Sequence, residues 1–148
     1  MTTILDLIRH GEPEGGPMFR GSKDDPLSEL GWQQMHTAIA SNDHWDAIVS
    51  SPMARCQRFA ETLSGQQNIP LHIEHELREI GFGEWEGLTV EQVEAGYGDR
   101  LNRFWQDPIN FLPPGGEPVA DFYARVIHSI HRWQEKLSGQ KVLVVCHG

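Results

Sequence analysis

The chain has 148 residues, enough for one domain that buries about 70% of the surface its unfolded form exposes. An apolar content of 39% with 22% charged residues is that of an ordinary globular domain, not of a disordered or membrane-spanning chain. The formal net charge of -9, from 21 acidic and 12 basic residues, argues against nucleic acid and an anionic membrane surface as partners, since affinity for either depends on Lys and Arg.

Met1-Thr2-Thr3 supplies no cationic leader, and the apolar run behind it is too short for a signal peptide or a membrane span. That run, Ile4-Leu5-Asp6-Leu7-Ile8, reads as a buried strand, and it ends on Arg9-His10-Gly11. In open α/β sheets the C-terminal ends of strands are where ligands bind. A Gly- and Pro-bearing loop spans Gly11 to Pro26. Ser28 then caps a helix running to about Ala40. Ala47-Ile48-Val49-Ser50 is a second strand, ending on Ser51-Pro52-Met53-Ala54-Arg55, and Pro52 is placed to open the next helix. Met53, Cys56, Phe59, Ala60 and Leu63 give that helix its apolar face.

Leu71-His72-Ile73 is a short strand, and the Gly-rich stretch from Gly81 to Gly87 reads as loop. Thr89-Val90-Glu91-Gln92 fits a capping box, so a short helix starts there; a second holds Leu101, Phe104 and Trp105. Pro113-Pro114-Gly115-Gly116 breaks the chain. Val119, Phe122, Tyr123, Val126, Ile127, Ile130 and Trp133 then form the longest helical stripe. Val142 to Cys146 is a last strand, expected to be buried between parallel neighbours, and His147-Gly148 follows it. Strands alternating with helices predict a single α/β domain over 1–148, a three-layer sandwich around a mostly parallel sheet.

The residues behind the strands form a cationic set whose natural guest is a phosphoryl group. Two strands each deliver a histidine, and Arg9 and Arg55 are forks of donors suited to phosphoryl oxygens. A neutral imidazole is a competent nucleophile near pH 7, and His10 is the candidate for that role. Its other ring nitrogen then needs an acceptor, such as a nearby backbone carbonyl. Rival phosphate chemistries lack their motifs. There is no N-terminal D-x-D or Cys-x5-Arg loop, and Gly16 to Gly21 is followed by Ser22-Lys23 in the wrong order for a P-loop. Cys56 and Cys146 form no C-x-x-C and read as reduced thiols, which points to a cytoplasmic protein. The pairs His72/His75 and His128/His131 read as wet surface, so no metal and no cofactor is expected.

Four stretches, Leu7-Ile8-Arg9-His10-Gly11-Glu12-Pro13, Ser50 to Arg55, Leu77 to Gly87 and Val145-Cys146-His147-Gly148, resemble in order the motifs of the histidine phosphatase (phosphoglycerate mutase-like) superfamily. Phe82-Gly83-Glu84-Trp85-Glu86-Gly87 and Pro113 to Pro118 are most similar to its α-ribazole phosphatase branch. The resemblance implies a phosphoglycerate mutase-like fold and a metal-independent phosphomonoesterase with a phosphohistidine intermediate. Its substrate would be α-ribazole 5′-phosphate or cobalamin 5′-phosphate, in cobalamin biosynthesis. Other readings remain open: a broad-specificity or sugar phosphatase, or a non-catalytic module that binds a phospho-ligand.

The same resemblance selects Glu79, among the acids Glu74, Glu76, Glu84 and Glu86, as general acid. It assigns His10 and His147 to catalysis and Arg9 and Arg55 to phosphate. Glu12 and Arg20, in the loop beside His10, are candidate substrate contacts. Gly16 stands where family members often carry a phosphate-binding Asn. Residues 80–117 would form a helical lid, whose Trp85, Phe104, Trp105 and Phe111 either pack a ring of the substrate or form a satellite core. The mutase branch carries an Arg directly after the acid and a paired Arg in its lid. Here Ile80 follows Glu79, and Arg100 and Arg103 are not adjacent, so hydrolysis is favoured over transfer. The family continues with helix and strand past the second histidine, so this chain is expected to be truncated at its C-terminus. A bare sheet edge would then invite pairing, a homodimer included.

Overall fold

The structure, a computed structural model, describes residues 1–148. Four strands form one sheet: β1 (Ile4–Arg9), β2 (Ala47–Ser50), β3 (Leu71–Ile73) and β4 (Lys141–Cys146). Their order is β1-β4-β2-β3 and every pairing is parallel. Five helices accompany them: α1 (Glu29–Ala38), α2 (Ala54–Gln67), α3 (Val90–Tyr97), α4 (Arg100–Gln106) and α5 (Val119–Lys136). No helix is long and apolar enough to cross a membrane.

Alternation along the strands sorts the core into two faces. Ile8, Ile48, Leu143 and Val145 pack with Met35 of α1 and with Cys56, Phe59, Ala60 and Leu63 of α2. Ala47, Val49, Val142 and Val144 face the other way, toward Val126, Ile130 and Trp133 of α5. The sheet is therefore the middle of three layers. Residues 80–117 make an excursion with a cluster of their own, where Trp85, Val93 and Leu101 are buried and Phe19, Phe82, Tyr97 and Phe104 close around them.

The central strand β4 is buried as its apolar run demands, but β1 corrects the expectation of a buried strand. It is an edge, with Ile8 its one buried residue and Leu7 68% exposed. The reason is strand order. β1 pairs on one side only, with β4, which period alone cannot reveal. Along the apolar stripe of α5 the residues are half-buried, except that Tyr123 faces solvent.

Local signals fared unevenly. Ser28 accepts from the Gly31 N–H and caps α1, which stops at Ala38, short of Ala40. Both arms of the Thr89/Gln92 capping box are made. Pro52 does not open α2, which begins two residues later. The first helical N–H, that of Ala54, goes to Asp24 Oδ1 at 2.7 Å, and Pro52 and Met53 form a bend between strand and helix. Glu74 caps a 3-10 turn at His75–Leu77, and a second such turn, Gly83–Trp85, interrupts the stretch expected to be loop. His72 is not on a wet surface but packs against Trp133, ring centroids 4.8 Å apart.

Candidate active site

Three adjacent strand ends build one side of the site. β4 lies between β1 and β2, so His147, His10 and Ser51 leave the sheet at the same level. Backbone bonds extend the ladder past the strands: His10 N–H donates to Cys146 O at 3.0 Å and Ser51 N–H to Val145 O at 2.9 Å. Gly11 is required where the chain leaves β1, because a Cβ there would lie 2.2 Å from Gly31 O at the start of α1.

The His10 ring has a fixed polarity. Its Nδ1 lies 2.8 Å from Gly11 O, and a carbonyl only accepts, so in the neutral ring the proton sits on Nδ1. Nε2 is left with its lone pair. Burial pushes the His10 pKa down. The Gly11 bond opposes this, and Arg55, Arg9 and Arg20 add to it. His147 stands edge-on to His10 with ring centroids 5.1 Å apart. Its Nε2 meets Ser51 Oγ at 2.8 Å, while Nδ1 is buried without a partner. Burial first, then the charge of Arg55, pushes its pKa down to about 3. His147 is thus neutral, and the 3.6 Å approach of its Nδ1 to Glu79 Oε2 is no ion pair near pH 7. Cys56 Sγ lies 3.8 Å from His147 Nε2, and burial drives this thiol up to about 12.

The other side comes from the segment after β3. Glu79 reaches in with its side chain 18% exposed, and Oε1 accepts from the Ile80 N–H at 2.9 Å. Burial raises its pKa against the pull of that N–H and of Arg55, Arg9 and Arg125, which keeps a carboxyl proton available to higher pH. Arg55 is almost fully buried, and carbonyls of Lys23 and Gly21 accept from its Nη1 and Nη2. Gly21 adopts φ +50, and a Cβ there would collide with Glu86 Oε1. Glu86 also accepts from the N–H groups of Ser22 and Phe82 and so ties this loop to the acid segment.

A cavity of ≈ 370 Å³ opens between the two sides, with Arg9, His10, Arg20, Arg55, Glu79 and Gly148 at its polar end. Pro13, Met18, Phe19, Ile80 and Phe82 form its apolar wall. Atoms of His10, Glu79 and His147 lie within 4.8 Å of one another, a spread that a divalent ion could bridge. Three guanidinium groups line the same space, so its field favours an anion.

Of the residues singled out in the sequence, His10, His147, Glu79, Arg9, Arg55 and Arg20 are brought together. Arg20 is partly committed: Nε donates to Asp25, and Nη2 to the carbonyls of Glu14 and Gly16. Glu12 is not in the lining. It accepts from Ser28 Oγ at 2.9 Å and braces the start of α1. Trp85 and Phe104 belong to the satellite core, and Trp105 and Phe111 are largely exposed. The aromatic rings in the lining with the nucleophile are Phe19 and Phe82; Phe82 belongs to the Phe82–Gly87 motif but carries no mark of its own, and Phe19 carries no sequence signal. Arg100 and Arg103 line a separate cavity with Phe111, and Arg103 pairs with Asp99.

The profile of the histidine phosphatase superfamily (branch 1) matches residues 5–148. The chain is 33% identical over 147 residues to phosphoserine phosphatase 1 of Hydrogenobacter thermophilus, with 97% of this chain and 70% of that protein covered. It is 30% identical over 159 residues to a 2,3-bisphosphoglycerate-dependent phosphoglycerate mutase of Methylobacterium sp., covering 100% of this chain and 76% of the other. Among solved structures, the α-ribazole phosphatase of Shigella flexneri superposes with a TM-score of 0.84 at 28% identity, over 97% of this chain and 73% of that one.

Proposed function

Because this chain belongs to the histidine phosphatase superfamily, branch 1, we propose that it is a metal-independent phosphomonoesterase working through a phosphohistidine on His10. One observation carries the reading: His10 spends Nδ1 on Gly11 O and presents a bare Nε2 to a cavity ringed by Arg9, Arg20 and Arg55.

Nε2 attacks phosphorus, a P–N bond forms, and the P–O bond to the alcohol breaks. Glu79, whose pKa burial raises, gives its proton to the departing oxygen. Water then attacks the phosphohistidine, Glu79 takes a proton from it, and phosphate leaves with His10 restored. Arg9 and Arg55 neutralise the phosphoryl oxygens. The unpartnered Nδ1 of His147 is free to carry a hydrogen that meets one of them, with Ser51 Oγ donating to Nε2 in that tautomer. Residues 80–117 act as the cover over the alcohol half.

The proposed substrate is α-ribazole 5′-phosphate or cobalamin 5′-phosphate. Phe19, Phe82, Met18 and Pro13 offer a flat ring a wall beside the phosphoryl end, and a superposed relative carries the α-ribazole phosphatase name. A carboxylated substrate such as phosphoserine or phosphoglycerate finds less there. Arg20 already spends Nε and Nη2 on Asp25, Glu14 and Gly16, and Arg100 and Arg103 stand in another cavity. The two reduced cysteines suit a cytoplasmic setting. Phosphate release from a panel of α-ribazole 5′-phosphate, cobalamin 5′-phosphate, phosphoserine, 3-phosphoglycerate and sugar phosphates tests this. The highest kcat/KM should fall on the first two. A preference for phosphoserine or sugar phosphates would overturn the substrate and spare the chemistry. Absence of both turnover and phosphoenzyme would leave a binding module.

A further inference from the structure

We propose that Arg125, on the face of α5 turned to the sheet end, is a positioning residue that sets the reach of Glu79. The proposal rests on Glu79 being the general acid. A guanidinium has five N–H donors, and here all five are used. Nε and Nη2 clasp Glu117, at 2.8 Å to Oε2 and 2.7 Å to Oε1. Nη1 donates to Glu76 O at 2.6 Å and to Arg78 O at 2.9 Å. The second Nη2 donor goes to Glu79 O at 3.1 Å. The side chain is 8% exposed, so these bonds are shielded from water.

What they hold is a stretch without regular structure. Residues 78–82 belong to no helix or strand, yet Glu79 must face His147 across this gap. Arg125 fixes two carbonyls on the N-terminal side of the acid, those of Glu76 and Arg78, and the carbonyl of Glu79 itself. Its partner Glu117 fixes the C-terminal side: Oε1 accepts from the Gly81 N–H at 3.3 Å, and the Glu117 N–H donates to Gly81 O at 2.9 Å. The acid is thus clamped before and after, while its own side chain accepts from the Ile80 N–H and approaches the edge of His147. No lysine can reproduce this, because an ammonium is a point with three donors and the clamp spans four separate acceptor residues.

A group that positions an acid matters in proportion to how badly the departing oxygen needs its proton. Phenyl phosphate and 2,4-dinitrophenyl phosphate differ in that need, and kcat/KM reports the phosphorylation step for each. Arg125→Lys should lower kcat/KM for phenyl phosphate by roughly 10- to 100-fold, the scale of a misplacement near 1 Å. The dinitrophenyl ester should fall far less. In a Glu79→Gln background the same substitution should cost phenyl phosphate almost nothing more, because the two residues act as one unit. Equal losses on both esters, or an undiminished loss in the Glu79→Gln background, would overturn the positioning role. If Glu79→Gln alone treats both esters alike, the acid assignment fails instead, and the two failures are separable. Should thermal unfolding show Arg125→Lys to be unfolded, Glu117→Gln carries the same test, since it weakens the clasp while leaving its backbone bond to Gly81 in place.

Discussion

The two sides of the site are built by different physics. His10, His147 and Ser51 sit where three parallel strands end, and the sheet's own backbone bonds run on to the first residue beyond β1 and β2. Glu79 sits on irregular chain, and the bonds that place it come from side chains elsewhere, above all Arg125 and Glu117. The first side is placed by the sheet's own hydrogen bonds. The second is a span held by a few charge-assisted bonds, so it is the side on which specificity and rate can be altered without unfolding the domain.

The largest effect should come from the firm side. His10→Ala should abolish turnover on every ester, on the order of 10⁶-fold as when other covalent nucleophiles are deleted. The acid-labile phosphoenzyme should vanish with it. Rapid denaturation after mixing with labelled substrate checks both, and label retained by the variant would move the nucleophile elsewhere. The softer side should show a selective loss. Glu79→Gln should slow phenyl phosphate by about 10²–10⁴-fold and an activated ester much less. Uniform losses would assign the proton to another group.

A smaller effect separates the two sides by pH. The folded-state pKa of His147 is depressed to about 3, whereas its unfolded imidazole takes a proton near 6.5. The stability it contributes is therefore full above pH 6.5 and is lost as pH falls toward 3. Glu79 works in the opposite sense. Its raised pKa gives stability that is present below 4.5 and lost as pH rises through the folded value. Urea unfolding of a His147→Asn variant between pH 7 and 4 should show a shallower acid-side decline than the parent chain. An unchanged slope would mean that the imidazole is not held neutral. The smallest effect is none at all. EDTA should leave activity where it was, because Arg9, Arg20 and Arg55 supply the positive field; loss reversed by a divalent ion would break the metal-free reading.

What the sequence disclosed follows the same division. Apolar runs ending on Arg9-His10-Gly11, Ser51 to Arg55 and His147-Gly148 were readable because each strand end is a local pattern, and the capping box at Thr89 is written in four residues. Glu79 was selected by resemblance, not by anything in its neighbourhood. Its clamp was invisible: Arg125 meets carbonyls 46 to 49 positions away, and nothing local announces such a bond. Nearness in sequence misled as well. Glu12 stands two residues from His10 and turns to Ser28, while Phe19 and Phe82, far apart in the chain, share a wall with ring centroids 5.3 Å apart. The exposure of Leu7 depends on which strand is last in the sheet, a property of the whole topology.

Cys56 gives the firm side a built-in reporter. Its thiol is wholly buried behind His147 and pushed up to about 12, so at pH 8 the nucleophilic thiolate is scarce and sheltered. Alkylation by iodoacetamide then waits on excursions that part α2 from the end of β4, and its rate measures how often they occur. A phosphate-like anion seated among Arg9, His10 and Arg55 should make those excursions rarer. Slowed labelling of Cys56 would thus register occupancy of the cavity with no turnover and no chromophore, even in a variant that cannot catalyse.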